Sequence, residues 1–234
     1  MPTTVVNPSK WALITGQSSA VFTTARENGS SVSNNSTSDT SVGIRYAVQS
    51  GRGADTHAFN RSYYYFDLSS APDLSGLTTA SLDINGYVNA DGKVIIVSSS
   101  AFGGDGSSNA TTGEFYTSLD YSQPYSDTNG QQWVTGTNSF DLNTSNVINY
   151  LKTNPDAFIF SIIDYTNDYG NTIGTATIIR NEGIARSDHP SGVELTLITP
   201  ATTNIDNING VAYNANVRFN SILLSDITSI NGVT

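Results

Sequence analysis

Apolar and polar residues alternate along most of this 234-residue chain, and a sustained helical period is almost absent. Successive side chains on a strand point to opposite faces, so a period of two marks a strand with one face turned to a core. Ile44, Tyr46 and Val48 alternate with Arg45 and Ala47. Tyr64, Phe66 and Leu68 alternate with Tyr63, Tyr65 and Asp67, and Ala80, Leu82 and Ile84 with Ser81, Asp83 and Asn85. Lys93–Val97 and Ala157–Ile163 are continuous apolar runs, which suit strands buried on both faces. Thr175–Ile179 and Val193–Ile198 complete the set, with Asp91-Gly92, Gly103-Gly104, Asn129-Gly130 and Pro190 as breakers between strands. Many short strands with few helices predict an all-β fold, a jelly roll or two-sheet β-sandwich, over residues 1–200. Phe66, Leu82, Phe160 and Leu195 are expected to lie between the sheets.

Local signals refine this picture. Asn89-Ala-Asp91-Gly92 between two strand-like segments predicts a tight hairpin, because Asp-Gly supports a turn with positive φ. One short helix is predicted over Asn146–Lys152, with Val147, Ile148 and Leu151 on one face, Ser145 as N-cap and Pro155 as the stop. Asn28–Thr40 and Gly103 to about Gly113 are mostly Gly, Ser, Asn and Thr and are expected to be mobile loops.

After Pro200 the character changes, and residues 201–234 are expected to be a C-terminal repeat tail for assembly or docking. Ile205-Asp-Asn-Ile208-Asn209-Gly210-Val211 returns 22 residues later as Ile227-Thr-Ser-Ile230-Asn231-Gly232-Val233, with five of seven positions identical. Asn-Gly favours a tight turn, and the flanking Ile and Val supply an apolar edge. So short a segment cannot bury its own apolar residues, which makes these positions the expected docking residues.

Charge excludes two partner classes. The net charge is −10 with only 10 basic residues, so neither nucleic acid nor an anionic membrane is expected as a partner. Ser, Thr and Asn make up about a third of the chain and Tyr occurs 12 times, an uncharged polar composition more usual outside the cell or in virus particles. Met1–Gly16 lacks the basic-then-apolar pattern of a secretory leader. Removal of a leader, another export route, or release on a particle by lysis would each reconcile those two features.

Two resemblances follow. Arg61-Ser-Tyr-Tyr-Tyr-Phe66-Asp67-Leu68-Ser69, then Thr79-Ala80-Ser81-Leu82-Asp83-Ile84, resembles the core of bacterial carbohydrate-binding-module-like β-sandwiches over about residues 42–199. That resemblance implies the sandwich fold, with Phe66 and Leu82 as core residues and a short helix near Asn146–Leu151. The doubled Ile-x-x-Ile-Asn-Gly-Val is similar to C-terminal tails of structural proteins of tailed bacteriophages. It implies a virion location, on the capsid exterior or the tail. The implied partners are other virion proteins and further copies of the chain, trimers being common among such parts, with a host-surface glycan as a further partner. The rival expectation is a secreted carbohydrate-binding module, and the third is a glycan-active enzyme.

Candidate chemistry is sparse. There is no cysteine, and His57 and His189 are the only histidines, each expected to face solvent in a loop. Asp55, His57 and a serine can be written as a triad, but no nucleophile signature accompanies them. Glu27, Glu114, Glu182 and Glu194 would be the carboxylates of a glycosidase, with Glu194 better explained as an outward strand residue. No enzymatic activity and no obligatory cofactor is expected. Calcium is the metal candidate, through the Asp and Asn oxygens of Asp83–Asp91 and of Asp164–Asp168 with Asn167 and Asn171, although turn formation explains the same residues. Tyr63, Tyr65 and Trp133 are the candidates for stacking on sugar rings; the competing expectation packs the tyrosines under a loop or a neighbouring subunit.

Overall fold

The computed structural model describes residues 3–35, 42–50, 53–88, 92–142, 145–174, 178–184 and 189–199, together with the backbone of 207–208, 211–212, 218–219 and 222–223. Backbone contacts divide the chain into two units: Thr3–Thr199, and the remainder comprising Met1–Pro2 and Pro200–Thr234. The first unit contains β1 (Thr3–Val6), β2 (Lys10–Gly16), α1 (Phe22–Glu27), β3 (Gly29–Asn34), β4 (Val42–Gln49), β5 (Thr56–Asp67), β6 (Thr79–Val88) and β7 (Lys93–Ser99). It continues through α2 (Glu114–Thr117), β8 (Leu119–Pro124), β9 (Gln131–Gln132), β10 (Gly136–Asp141), α3 (Ser145–Thr153), β11 (Ala157–Asp164), β12 (Ile178–Ile184) and β13 (Val193–Ile198).

These strands form a two-sheet antiparallel sandwich. One sheet runs β1–β13–β6–β10 and the other β12–β4–β5–β11–β7–β8, with β2 and β3 added on β5 and β9 on β7. The ladders join where β12 reaches the end of β6, through Glu182 opposite Val88 and Gly183 opposite Tyr87. Between the sheets lies the main core, in which the expected residues Phe66, Leu82, Phe160 and Leu195 are all buried. Phe160 anchors an aromatic ladder there, with ring centres 5.3 Å from Tyr64, 5.5 Å from Phe158 and 5.7 Å from Phe66. Such tilted and offset contacts add to the stabilisation that the buried area supplies. The predicted helix is α3, with Val147 and Leu151 buried and Ile148 partly so.

A second core covers the other face of the larger sheet, and it overturns several sequence expectations. Phe59, Tyr63 and Tyr65 of β5 project there beneath Phe22 and Ala25 of α1, Phe115 of α2, and Phe102 and Ala110 of the intervening segment. The stretch from Gly103 to Gly113 is an irregular and mostly exposed loop, as expected, but it is anchored on this core through Ala110. Asn34 clamps it by exchanging two 3.0 Å hydrogen bonds with the backbone of Ala110. Gly106 sits at φ 79° so close to Tyr65 that a Cβ would collide with the ring. The other expected loop, Asn28–Thr40, contains β3, which pairs with β2; residues 36–40 lie outside the described residues.

Two strand expectations are also corrected. The segments flanking Asn89–Gly92 do not form a hairpin: β6 pairs with β13, β10 and β12, whereas β7 pairs with β11, β8 and β9. The chain crosses between sheets at that point, and residues 89–91 themselves lie outside the described ones. The strand placed at Thr175–Ile179 is β12, running from Ile178 to Ile184, with residues 175–177 outside the described ones.

Candidate functional site

One cluster of buried polar groups lies on the covered side of β5. Arg61 shares a face with Phe59 and Tyr63 by the period of the strand, so its guanidinium enters the second core with no solvent exposure. Asp168 meets it from a π-helical turn, Tyr165–Tyr169, that follows β11. Asp164 starts that turn by accepting the backbone N–H groups of Asn167 and Asp168 at 2.5 and 3.3 Å. The Arg61 Nε and Nη2 atoms donate to the two Asp168 oxygens at 2.6 and 2.8 Å, a bidentate pair. Its remaining donors go to the backbone carbonyls of Phe115 and of Arg26, the latter at 2.7 Å. Burial opposes the charge on Arg61, but the Asp168 carboxylate outweighs it and holds the guanidinium above its ordinary pKa.

Further side chains close around this pair. Arg26 donates from Nε to the Asp168 carbonyl at 2.9 Å, and its guanidinium lies 4.7 Å from the Tyr121 ring centre. Tyr121 donates its hydroxyl to Asp168 Oδ1 at 3.0 Å. Burial, then the Asp168 charge, raise the Tyr121 phenol above its ordinary pKa. Tyr63 donates to the Phe115 carbonyl at 2.5 Å. A guanidinium whose three nitrogens each donate to protein acceptors is a structural pin that fastens α1, α2 and the π-helical turn to β5.

The residues singled out from sequence are placed as follows. Tyr63, Tyr65 and Trp133 are 0%, 9% and 1% exposed, so none offers a ring face to a sugar. Trp133 packs against Phe140 and donates its indole N–H to the Tyr87 carbonyl at 3.1 Å. Both histidines are buried rather than solvent-facing, and only His189 lies in a loop, the turn that precedes β13. His57 lies on β5 with Nδ1 3.2 Å from the Tyr46 hydroxyl. His189 stacks against Trp11 and Tyr64, ring centres 5.2 and 5.7 Å away. Glu114 caps its own turn, accepting from Thr111 N at 2.6 Å and Gly103 N at 3.3 Å. Glu194 points outward on β13, as its alternation predicts. Of the calcium candidates, Asp164 and Asp168 serve the cap and the ion pair. Among the described residues no group of three or more His, Asp or Glu side chains is arranged to hold a metal.

An accessible face remains on the outside of the smaller sheet, and sequence inspection passed over a large aromatic on it. Tyr87 on β6 is 48% exposed. It follows Ser81, Asp83 and Asn85 along the outward side of that strand, and its partner on β12 is Gly183, which has no side chain to cover the ring from that side. Cross-strand register sets Thr137 beside Asn85, and both Ser139 and Glu194 beside Asp83. The signal was available in the outward positions of β6, but four consecutive aromatics on β5 drew attention to the wrong strand.

In the C-terminal unit, β14 (Asn207–Ile208) pairs with β15 (Val211–Ala212), and β16 (Arg218–Phe219) pairs with β17 (Ile222–Leu223). Ile208 stands opposite Val211. Ile205, Asn209, Gly210, Ile227, Ile230, Asn231, Gly232 and Val233 lie outside the described residues.

No protein-family model matches the chain, and no curated protein matches it in sequence.

Proposed function

We propose that the chain is a non-enzymatic structural protein of a bacteriophage virion, a capsid-decorating or tail-associated β-sandwich attached through its C-terminal repeat. The supporting observation is the Ile208–Val211 hairpin within a unit separate from the sandwich. Paired strands of two residues are too short to be stable alone, so such an element is adapted to bind something else. The sandwich fits a passive role, because its buried Arg26, Arg61, His57, His189, Asp164 and Asp168 are engaged in fastening its own layers.

Deleting everything after Pro200 tests this reading. The shortened protein is expected to stay folded, with little change in melting temperature, and to lose incorporation into the particle. Unfolding of the truncated chain, when the intact chain is a stable monomer, would show that the tail belongs to the domain's own core and end the proposal.

One observation favours a second reading, the secreted carbohydrate-binding module. Tyr87 stands exposed on a face of Ser, Thr, Asn and Asp side chains, a combination that stacks on and hydrogen-bonds a sugar. With Asp83 and Glu194 on the same face, the ligand would be a neutral oligosaccharide.

A further inference from the structure

The two hairpins of the C-terminal unit share one register. The first pairs Asn207 with Ala212 and Ile208 with Val211; the second pairs Arg218 with Leu223 and Phe219 with Ile222. Every paired position in the second lies eleven residues beyond its counterpart in the first. Eleven residues further, the sequence returns to Ile230-Asn231-Gly232-Val233. The 22-residue duplication is thus the first and third units of a shorter repeat, and Phe219-Asn220-Ser221-Ile222 is the middle one. All three units keep a large apolar residue on each side of the turn, Asn at its first position and a small residue at its second. Asn and Gly are favoured where a two-residue turn needs positive φ, so the composition and the pairing agree.

We propose that the tail is an eleven-residue repeat of three units, two of them the paired hairpins, whose partner is the same repeat on a second copy of the chain. This rests on the reading of the tail as an attachment element and names what it attaches to. Each described hairpin is a separate two-stranded sheet, and such sheets are marginal in water without further burial. A fixed period of eleven is best matched by a surface with the same period. Copies aligned in parallel about a common axis engage all three units at once, so each contact raises the effective concentration of the next. Charge points to the same partner. Residues 200–234 carry Asp206, Asp226 and Arg218 as their only charged side chains, against −10 for the whole chain. Two copies therefore meet with little repulsion at their tails, while the acidic sandwiches repel each other.

Sedimentation of the full-length chain across the micromolar range tests the proposal. Three double variants are compared with it: Ile208→Asn/Val211→Asn in the first unit, Phe219→Asn/Ile222→Asn in the middle unit, and Ala215→Asn/Asn216→Ser in the connection between them. Melting of the sandwich, followed separately, controls for folding. The parent chain is expected to self-associate, each hairpin variant to do so at least about tenfold more weakly, and the connection variant to match the parent. A parent chain that stays monomeric overturns the self-association. A middle-unit variant that associates like the parent, beside a first-unit variant that does not, overturns the eleven-residue unit. These failures are separate from failure of the attachment reading. A monomeric chain that enters particles only with its tail keeps attachment and loses the self-partner, whereas a truncated chain that enters fully removes attachment itself.

Discussion

The guanidinium of Arg61 holds the carboxylate of Asp168, 107 residues away in sequence, through hydrogen bonds of 2.6 and 2.8 Å without exposure to solvent. One end of this pair lies in the central strand β5 and the other in the π-helical turn after β11, so it ties the outer cover to the sheet. Replacing Asp168 by Asn, or Arg61 by Met, should cost about 3–5 kcal/mol, because either leaves a buried charge without its partner. The double change Arg61→Met/Asp168→Leu should recover part of that loss. Chemical denaturation of the three variants measures it; a loss under about 1 kcal/mol in both single variants would mean that the pair is solvated.

Phe66→Ala should cost about 3–5 kcal/mol, because Phe66 fills the space between the sheets. Tyr63→Ala should cost about as much, although alternation puts Tyr63 on the opposite face. That face is covered too, and the Tyr63 hydroxyl bonds to the Phe115 carbonyl. Equal destabilisation is therefore the expected result and no sign of a shifted register; a Tyr63→Ala variant near parent stability would contradict the second core.

Stability should fall steeply in alkali. Burial pushes the Tyr125 phenol up to about 12 and also raises Tyr63, Tyr64 and Tyr121. A tyrosine in the unfolded chain ionises near pH 10. Above that pH the unfolded state has released protons that the folded state retains. The contribution of each buried phenol is thus complete below about pH 10 and shrinks by about 1.4 kcal/mol per pH unit as the pH rises toward its folded value. Melting temperatures followed from about pH 8 to 12, with phenolate absorbance recorded alongside, should drop together with a cooperative rise in ionisation. A flat melting temperature across that range would contradict the burial of these rings.

Should the chain bind a neutral oligosaccharide, Tyr87→Ala should weaken binding at least about tenfold, the worth of one lost stacking contact. The fold should be unaffected, since the ring is half exposed. Tyr65→Ala and Trp133→Ala should act through stability. Glycan-array signal that survives Tyr87→Ala would remove the outer face of β6 as the binding surface.

The sequence by itself determined the sandwich, the inward set Phe66, Leu82, Phe160 and Leu195, and the helix around Val147–Leu151. Each depends on a local period confined to a few neighbouring residues. Only the tertiary structure decided what covers each face. Alternation tells Tyr63 and Tyr65 from Tyr64 and Phe66 but cannot reveal that Phe102 and Phe115, from about 40–50 residues further on, close over the second side. Asp91-Gly92 has hairpin chemistry, yet the strands beside it enter different sheets, because pairing is chosen by burial across the whole domain. Arg61 and Asp168 have no shared local pattern at all. A period of two encodes direction, and a buried ion pair is set by which distant backbone brings a carboxylate to the same dry site.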